Sequence, residues 1–474
     1  MAALKITFLF LLHFAIILCN AQEKLALDKS KPNVIYILAD DLGYGDLSCY
    51  GQEKFSTPNI DKLAKEGILF TQHYSGSSVC APSRSALMTG QHTGHTAIRG
   101  NKGIEPEGEY PMPKTTFTIA ELLKEKGYST GAFGKWGLGG PGSEGDPLQQ
   151  GFNVFYGYNS QMLAHNYYPD HLWDNENKII LSKNEGLNKG QYAPILIHKQ
   201  ALLFIEKHQK EPFFLYFAST LPHAELAAPK AYMDKFIGKF DSEKPFVGAD
   251  SGENFRKGGY GSQAYCHAAF AAMITLLDDQ VGEIVAKIKE LGLEDNTLII
   301  FTSDNGPHKE GGADPDYFNS NGPFRGYKRD LYEGGIHVPM IAKWKGKIAE
   351  GSKTDHISAF WDVMPTLSEL TDAKNNTAID GVSFLPTLLN KGIQKQHDYL
   401  YWEFHELGGR QALRQGNWKL IRYNVNKKEN YQLYNLENDL AEAHNLSSKM
   451  PEKVTELSKL LESSRTESDV FKFK

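Results

Sequence analysis

The chain has 474 residues, 51 Lys and Arg against 57 Asp and Glu, and a formal net charge of −6. That balance excludes a protein held to nucleic acid or anionic lipid by bulk charge, so any anion must be met by cations gathered in a pocket. With 41% hydrophobic and 23% charged residues, the composition is that of a large globular protein.

The first segment reads as a secretory signal, residues 1–21. Lys5 gives a positive start, residues 6–18 are apolar, and Cys19-Asn20-Ala21 offers small residues for cleavage after Ala21. The apolar run is shorter than the ~20 residues a membrane span needs, so no stable membrane insertion is expected. Leu18-Cys19 also raises a lipoprotein anchor at Cys19. A periplasmic or secreted location follows. Beyond the signal the cysteines are Cys49, Cys80 and Cys266, an odd and sparse set that makes no disulfide framework.

Residues 33–39 form a continuous apolar run of the kind buried on both faces of a sheet. Similar runs recur at 129–136, 212–219, 297–302 and 339–344. Helical patterns lie between them at 115–126, 195–210, 265–291 and 359–371. The clearest, 265–291, places Phe270, Met273, Ile274, Leu277, Val281, Ile284, Val285 and Ile288 at three/four spacing. This alternation predicts an α/β catalytic domain over 22–389, with a mostly parallel central sheet and helices on both faces. Beyond it, Leu400, Trp402 and Phe404 alternate with Tyr401, Glu403 and His405, as in a half-exposed antiparallel strand. Short runs at 411–414, 417–423 and 431–434 follow, then a helix carrying Val454, Leu457, Leu460 and Leu461. Residues 390–474 are therefore expected to form a small antiparallel subdomain closed by a helix. The long polar connections 98–113 and 241–262 are expected to rim a site.

Asp40-Asp41 directly follows the first buried run, and Asp304-Asn305 follows the run 297–302. Ligands of open α/β sheets gather beyond the carboxyl ends of strands. Each pair alone has an ordinary reading, a helix N-cap for the first and an Asn-Gly turn for the second. Together they offer three carboxylates and an amide oxygen, donors suited to Ca²⁺ or Mg²⁺ rather than Zn²⁺. Cys80-Ala81-Pro82-Ser83-Arg84, continuing through Leu87, Thr89 and Gly90, contains a candidate thiol nucleophile and a candidate anion-holding guanidinium. Its alternative is a core cysteine at a helix start. Lys135, in Gly134-Lys135-Trp136-Gly137, and Lys328, between Gly326 and Gly335, read singly as solvated charges. His223 follows the run 212–219.

The stretch from Cys80 to Gly90 resembles the site at which type I sulfatases convert a cysteine to formylglycine. The resemblance extends from Asn33 to about Leu446. It implies an alkaline phosphatase-like fold and one divalent cation, generally Ca²⁺, held by Asp40, Asp41, the modified Cys80, Asp304 and Asn305. Arg84, Lys135 and Lys328 would grip the sulfate, and His223 would protonate the leaving oxygen. It implies hydrolysis of sulfate monoesters on carbohydrate, such as oligosaccharides of algal ulvan or galactan or of glycosaminoglycans. A formylglycine-generating or anaerobic maturation enzyme would be a partner. The chain departs from the family at Gly137, where a histidine usually stands two residues after the first lysine. His165 is a candidate replacement for that base, or a substrate contact. His337 stands where many relatives carry Arg and reads as a structural turn residue. Arg99, Asn101, His405 and Arg414 are candidate sugar contacts. So are Tyr167, Tyr168 and Trp402, with core packing the alternative for each aromatic. Two other readings stay open. One is a phosphatase or phosphodiesterase of the same superfamily, which would use Ser or Thr and two zinc ions. The other is an inert glycan-binding homologue with Cys80 unmodified.

Overall fold

Residues 33–39 carry only apolar or aromatic side chains after Asn33 because the strand they form is covered on both faces and paired on both edges. The computed structural model describes residues 31–375, 377–426 and 430–473, so the expected signal at 1–21 and Cys19 lie outside the described residues. In chain order the large sheet contains β1 (Asn33–Ala39), β2 (Ile68–Tyr74), β3 (Ser129–Lys135), β4 (Val154–Tyr158), β5 (His171–Asp174) and β6 (Asn177–Ile180). It continues with β7 (Phe213–Ala218), β8 (Thr297–Ser303), β9 (His337–Lys343), β10 (Ser352–Thr354) and β11 (Ser358–Ala359). Their order is β10-β2-β9-β8-β1-β7-β3-β4-β5-β6, with β11 beside β2. Parallel pairing joins β8, β1, β7, β3 and β4. β9 runs antiparallel to both β2 and β8, and β5 and β6 finish the other side as an antiparallel hairpin. The sheet is thus mostly parallel at its centre and mixed toward its edges.

Side chains of β1 alternate between two cores, as the period of a strand requires. Ile35 and Ile37 meet the helices Ala193–Lys207 and Cys266–Glu290 through Ile197, Phe204, Ile274 and Leu277. Val34 and Leu38 meet Leu87, Leu122 and Val363 from helices on the opposite face. The predicted helix at 115–126 begins at Ile119 instead, because Thr118 and Glu121 form a capping box that fixes the start. Strands β2, β4, β5 and β6 carry Thr, Gln, His, Gly, Asp or Lys among their residues and so show no continuous apolar run.

The four-stranded antiparallel sheet near the carboxyl end runs β12 (Leu400–Phe404), β13 (Arg410–Gln415), β14 (Trp418–Tyr423) and β15 (Asn430–Asn435) in order. Here the expected half-exposed strand is corrected: β12 is buried along its whole length. Trp402 and Phe404 pack with Tyr74, Val79 and Trp361, next to the large sheet. Tyr401 faces the other way, under Leu457 and Leu461 of the helix Pro451–Ser463. Among the described residues no helix is long and apolar enough to cross a membrane.

Burying β12 also buries Glu403, and this reassigns two candidate sugar contacts. Its carboxylate accepts from Arg99 at 3.3 Å, His405 at 2.9 Å and Arg465 at 2.9 Å. Arg99 and His405 are therefore committed to an internal ion cluster joining the loop after the Cys80 helix, β12 and the terminal segment. Arg414 is likewise committed, donating to Gln72 at 2.6 Å and to the Tyr74 hydroxyl. Burial favours the protonated form of Glu403, but His405, Arg465 and Arg99 outweigh it and hold the group at about 2. A carboxyl depressed in the folded state stabilises above its unfolded range and loses that contribution as pH falls. Glu403→Gln is expected to lower the unfolding free energy by on the order of 3 kcal/mol above pH ~4.5. The deficit relative to wild type should close as pH falls toward 2, measured by denaturant titration at stepped pH; a deficit independent of pH contradicts the ion-cluster assignment.

Candidate functional site

Neighbouring parallel strands end together, and each delivers polar side chains to the same edge. The register aligns Ala39 of β1 with Ser303 of β8, so Asp40-Asp41 and Asp304-Asn305 emerge side by side. Leu38 aligns with Ala218 of β7, from which the chain turns to His223; Ala218 also aligns with Gly134 of β3, one residue before Lys135. Gly134 is required there: at φ 122° its backbone lies so close to Ala218 that an added Cβ would sit 1.8 Å from the carbonyl oxygen. Asp41 is held in the left-handed region at φ 62°, a conformation costly for a residue with a Cβ and tolerated where surroundings fix it. Its N–H donates to Asp304 Oδ1 at 3.1 Å and its Oδ1 accepts from Asn305 Nδ2 at 2.6 Å.

The helix Cys80–Thr89 enters this edge with its first residue. Cys80 and Arg84 are one turn apart and share a face. Arg84 donates to Asp304 Oδ2 from Nη2 at 2.8 Å and from Nε at 3.1 Å, and reaches the Lys135 carbonyl from Nη1. Cys80 Sγ lies 3.4 Å from Asp40 Oδ1 and 3.3 Å from Lys135 Nζ, which also donates to Asp40 Oδ2 at 2.7 Å. Lys328 donates to Asp41 Oδ2 at 2.8 Å and to His223 Nε2 at 3.0 Å. Every one of these side chains is buried. The structure therefore brings together Asp40, Asp41, Cys80, Arg84, Lys135, His223, Asp304, Asn305 and Lys328.

Three buried carboxylates here face three buried cations. Burial pushes Asp304 up to about 7, with the nearby Asp40 and Asp41 carboxylates adding to the push against Arg84. Burial works the same way on Asp40, but the Lys135 ammonium first, with Arg84 and Lys328, outweighs it and keeps that group ionised. Asn305 Oδ1 is buried without a hydrogen-bond partner. An unpartnered amide oxygen among three carboxylates is the donor set a hard divalent cation takes. Asp40, Asp41, Cys80 and His223 offer ligand atoms within 4.8 Å of one another, with His223 Nε2 already taken by Lys328. The residues fit a cation at this position.

Burial first, and Asp40 next, push the Cys80 thiol well above its ordinary range, so it stays protonated despite Lys135. Burial and then the Lys328 ammonium hold His223 well below its usual range, so its ring is neutral with Nε2 accepting from Lys328. His165 stacks on His223 at 5.0 Å between ring centroids, with Nδ1 on the Gly258 carbonyl at 3.0 Å. The side chains bonded to Cys80 are Asp40 and Lys135; His165 stands on the His223 side. The space beside Gly137 is taken by Gln161, 3.2 Å from where a Cβ would be. Gln161 in turn donates to Asn101 Oδ1, which also accepts the Ala81 N–H at 3.1 Å; Asn101 is exposed at the start of the Cys80 helix.

Other aromatic candidates are internal. Tyr167 is fully buried and bonds the Thr220 and His223 carbonyls, which fixes the His223 loop. Trp402 donates to the Ser75 carbonyl at 2.9 Å, and Tyr168 is half-buried. His337 bonds Glu333 at 2.9 Å and the Thr71 carbonyl at 2.7 Å; its role is internal, but it opens strand β9 and is not the turn residue expected. Three neighbours of the site went unremarked in the sequence: Tyr260, whose ring lies 5.0 Å from His165; Glu310, 3.2 Å from Lys328; and Arg329, paired with Glu310. Tyr260 belongs to the polar connection 241–262. Glu310 lies five residues past Asn305, and an acid so close to a strand end was a usable signal.

A family model described as Sulfatase matches residues 32–373, and one described as N-sulphoglucosamine sulphohydrolase, C-terminal, matches residues 323–467. The N-acetylgalactosamine-6-O-sulfatase of Bacteroides thetaiotaomicron is 30% identical, over 94% of this chain and 96% of its own length. Human N-acetylgalactosamine-6-sulfatase is 32% identical over 78% of this chain and 68% of its own. The crystal structure of Ps i-CgsB superposes with a TM-score of 0.76 at 30% identity, over 91% of this chain and 92% of that one. That protein has also been solved in complex with k-i-k-neocarrahexaose.

Calcium added to chelator-treated protein is expected to raise the melting temperature, with roughly 2.7 kcal/mol of stabilisation at a hundredfold excess over Kd. Asn305→Ala should weaken the ion by about tenfold or more, since it removes a buried donor. Titration calorimetry checks both, and absence of any saturable heat contradicts the cation assignment.

Proposed function

Because the chain belongs to the sulfatase family and is a sulfuric ester hydrolase of carbohydrate, we propose that its working nucleophile is a formylglycine made from Cys80, beside one Ca²⁺. The observation that carries this reading is the placement of Cys80, buried between Asp40 and Lys135 at the edge where the strands end. Burial and then Asp40 push its thiol up, away from thiolate chemistry. Its Sγ stands where the oxygens of the converted residue would lie. Hydrated formylglycine would supply one hydroxyl to attack sulfur and a second whose deprotonation releases sulfate. Bound Ca²⁺, held by Asp40, Asp41, Asp304, Asn305 and residue 80, would supply positive charge to that hydroxyl and to the sulfate oxygens.

Arg84, Lys135 and Lys328 are fixed by buried ion pairs before substrate arrives. They are therefore aimed at the site in advance and stabilise charge growing on the nonbridging oxygens with little movement, an effect worth several kcal/mol. Lys328 carries the proton at its 3.0 Å contact with His223 Nε2, and the two groups together form the acid that serves the departing sugar oxygen. His165, stacked on His223, takes the substrate-contact role rather than that of the base absent at Gly137. Asn101 stays a sugar-contact candidate because it is exposed beside residue 80. Conversion of Cys80 requires a formylglycine-generating or anaerobic maturation enzyme, and we infer a periplasmic or extracellular site of action from the signal-like sequence 1–21.

Among sulfated sugars, 6-O-sulfated N-acetylgalactosamine is the substrate we infer. The support is the 30% identity to an N-acetylgalactosamine-6-O-sulfatase across nearly both whole chains. Oligosaccharides from chondroitin 6-sulfate are the direct test; failure to desulfate them, with activity on another sulfated glycan, reassigns the sugar but not the chemistry.

Cys80→Ala is expected to remove turnover by several orders of magnitude while keeping the wild-type melting temperature. His223→Ala should lose about 10²-fold or more on sugar sulfates and far less on 4-nitrophenyl sulfate, whose leaving group needs no proton. Steady-state kinetics on both substrates decides, and equal losses contradict the acid role.

A further inference from the structure

We propose that Glu310, together with Arg329, reads a free hydroxyl beside the scissile sulfate and excludes a second anionic group at that position. The inference rests on the carbohydrate-sulfatase reading above and names the substrate class more narrowly.

An ammonium has three N–H donors. Those of Lys328 face Asp41 Oδ2 at 2.8 Å, His223 Nε2 at 3.0 Å and Glu310 Oε2 at 3.2 Å. A substrate oxygen that reaches Lys328 must take the place of one of these acceptors. Asp41 is fully enclosed and His223 nearly so, whereas the Glu310 side chain keeps 19% of its surface exposed. Glu310 is thus the acceptor that meets the incoming sugar, on the side of the leaving oxygen.

The carboxylate is held in place. Its other oxygen takes the guanidinium of Arg329, whose side chain is 37% exposed. The Arg329 N–H is fixed to the Ser78 carbonyl at 2.9 Å, two residues before Cys80. The Glu310 N–H donates to His308 Nδ1 at 3.2 Å, and His308 Nε2 reaches the Pro222 carbonyl at 3.3 Å. Ligand atoms of Asp41, His308 and Glu310 converge within 4.8 Å. Tyr260 and His165, with ring centroids 5.0 Å apart, continue this rim. A fixed carboxylate acceptor, a guanidinium donor and aromatic surface are the groups a pyranose needs for its hydroxyls and its C–H face.

Charge sets the class. A carboxylate at this point accepts from a sugar hydroxyl, whereas a sulfate or a uronic carboxylate at the adjoining position has no proton to give it and would leave Glu310 facing a second anion, which makes Glu310 an element that selects against the wrong substrate. The preferred substrate is a sugar carrying the scissile sulfate next to a free hydroxyl.

The test compares wild type and Glu310→Gln on chondroitin oligosaccharides ending in N-acetylgalactosamine 6-sulfate or 4,6-disulfate, with inorganic sulfate as inhibitor. Wild type should favour the monosulfated end by about tenfold or more in kcat/KM. Glu310→Gln should lose about tenfold on that substrate, mostly in KM, and bring the two substrates within about threefold of each other. Inorganic sulfate should inhibit the variant at least as well as wild type, because a nearby negative charge is gone. Equal losses on both substrates with weakened sulfate inhibition would show that Glu310 merely supports Lys328, and overturn the inference. A wild type that prefers the disulfated end overturns it also. A wild type that desulfates neither removes the substrate reading and this inference with it.

Discussion

Charges that no single segment could bury alone are brought to one edge of the sheet by the register of β8, β1, β7 and β3. A carboxylate or ammonium taken from water costs several kcal/mol unless it is paired with good geometry. Asp40, Asp41 and Asp304 are affordable in the interior because Arg84, Lys135 and Lys328 reach them at 2.7 to 2.8 Å. The pairing is mutual and spans five separate chain segments, so the site exists only when the strands, the Cys80 helix and the loop bearing Lys328 are all in place. With all three acids ionised such a set is electrically balanced by itself, and Asp304, pushed up by burial, is the easiest of them to protonate. Adding a divalent cation leaves an excess of positive charge in a water-poor cleft, the condition that favours an anionic ester.

Support for this edge comes from farther away than the site itself. The four-stranded sheet packs Trp402 and Phe404 against Tyr74, Val79 and Trp361, directly behind the entry to the Cys80 helix. Lys419 of β14 pairs with Glu333 at 2.8 Å and Glu442 at 3.0 Å, and Glu333 in turn holds Tyr74 and His337. Side chains that looked available for a sugar, Arg99, His405 and Arg414, are the ones that build this contact. Their lesson is that a charged residue near a site in sequence can be a structural ion pair when a second layer covers it.

Much of the site was legible because its parts sit where strands end. Asp40-Asp41 and Asp304-Asn305 follow continuous apolar runs, and those runs are what a strand covered on both faces requires. Cys80, Arg84, Lys135, His223 and Lys328 were found through the resemblance, since nothing in a lone lysine or histidine distinguishes it from a surface charge. The parts that escaped have physical reasons. β2 carries Thr71, Gln72 and His73 within it, and β5 and β6 form a short hairpin at an edge, so neither shows a long apolar run. β12 looked half-exposed from its alternation, but the terminal helix covers its second face. Glu310 and Tyr260 lie on loops, where side-chain direction depends on tertiary contacts that sequence spacing does not encode.

The central claim is that position 80 acts as a carbonyl-derived diol and not as a thiol. Mass spectrometry of the tryptic peptide containing residue 80, taken from catalytically active protein, tests it most directly. The account predicts the mass of an aldehyde in place of the cysteine side chain, in proportion to specific activity across preparations. Full activity from protein in which that peptide carries only an intact thiol would contradict it.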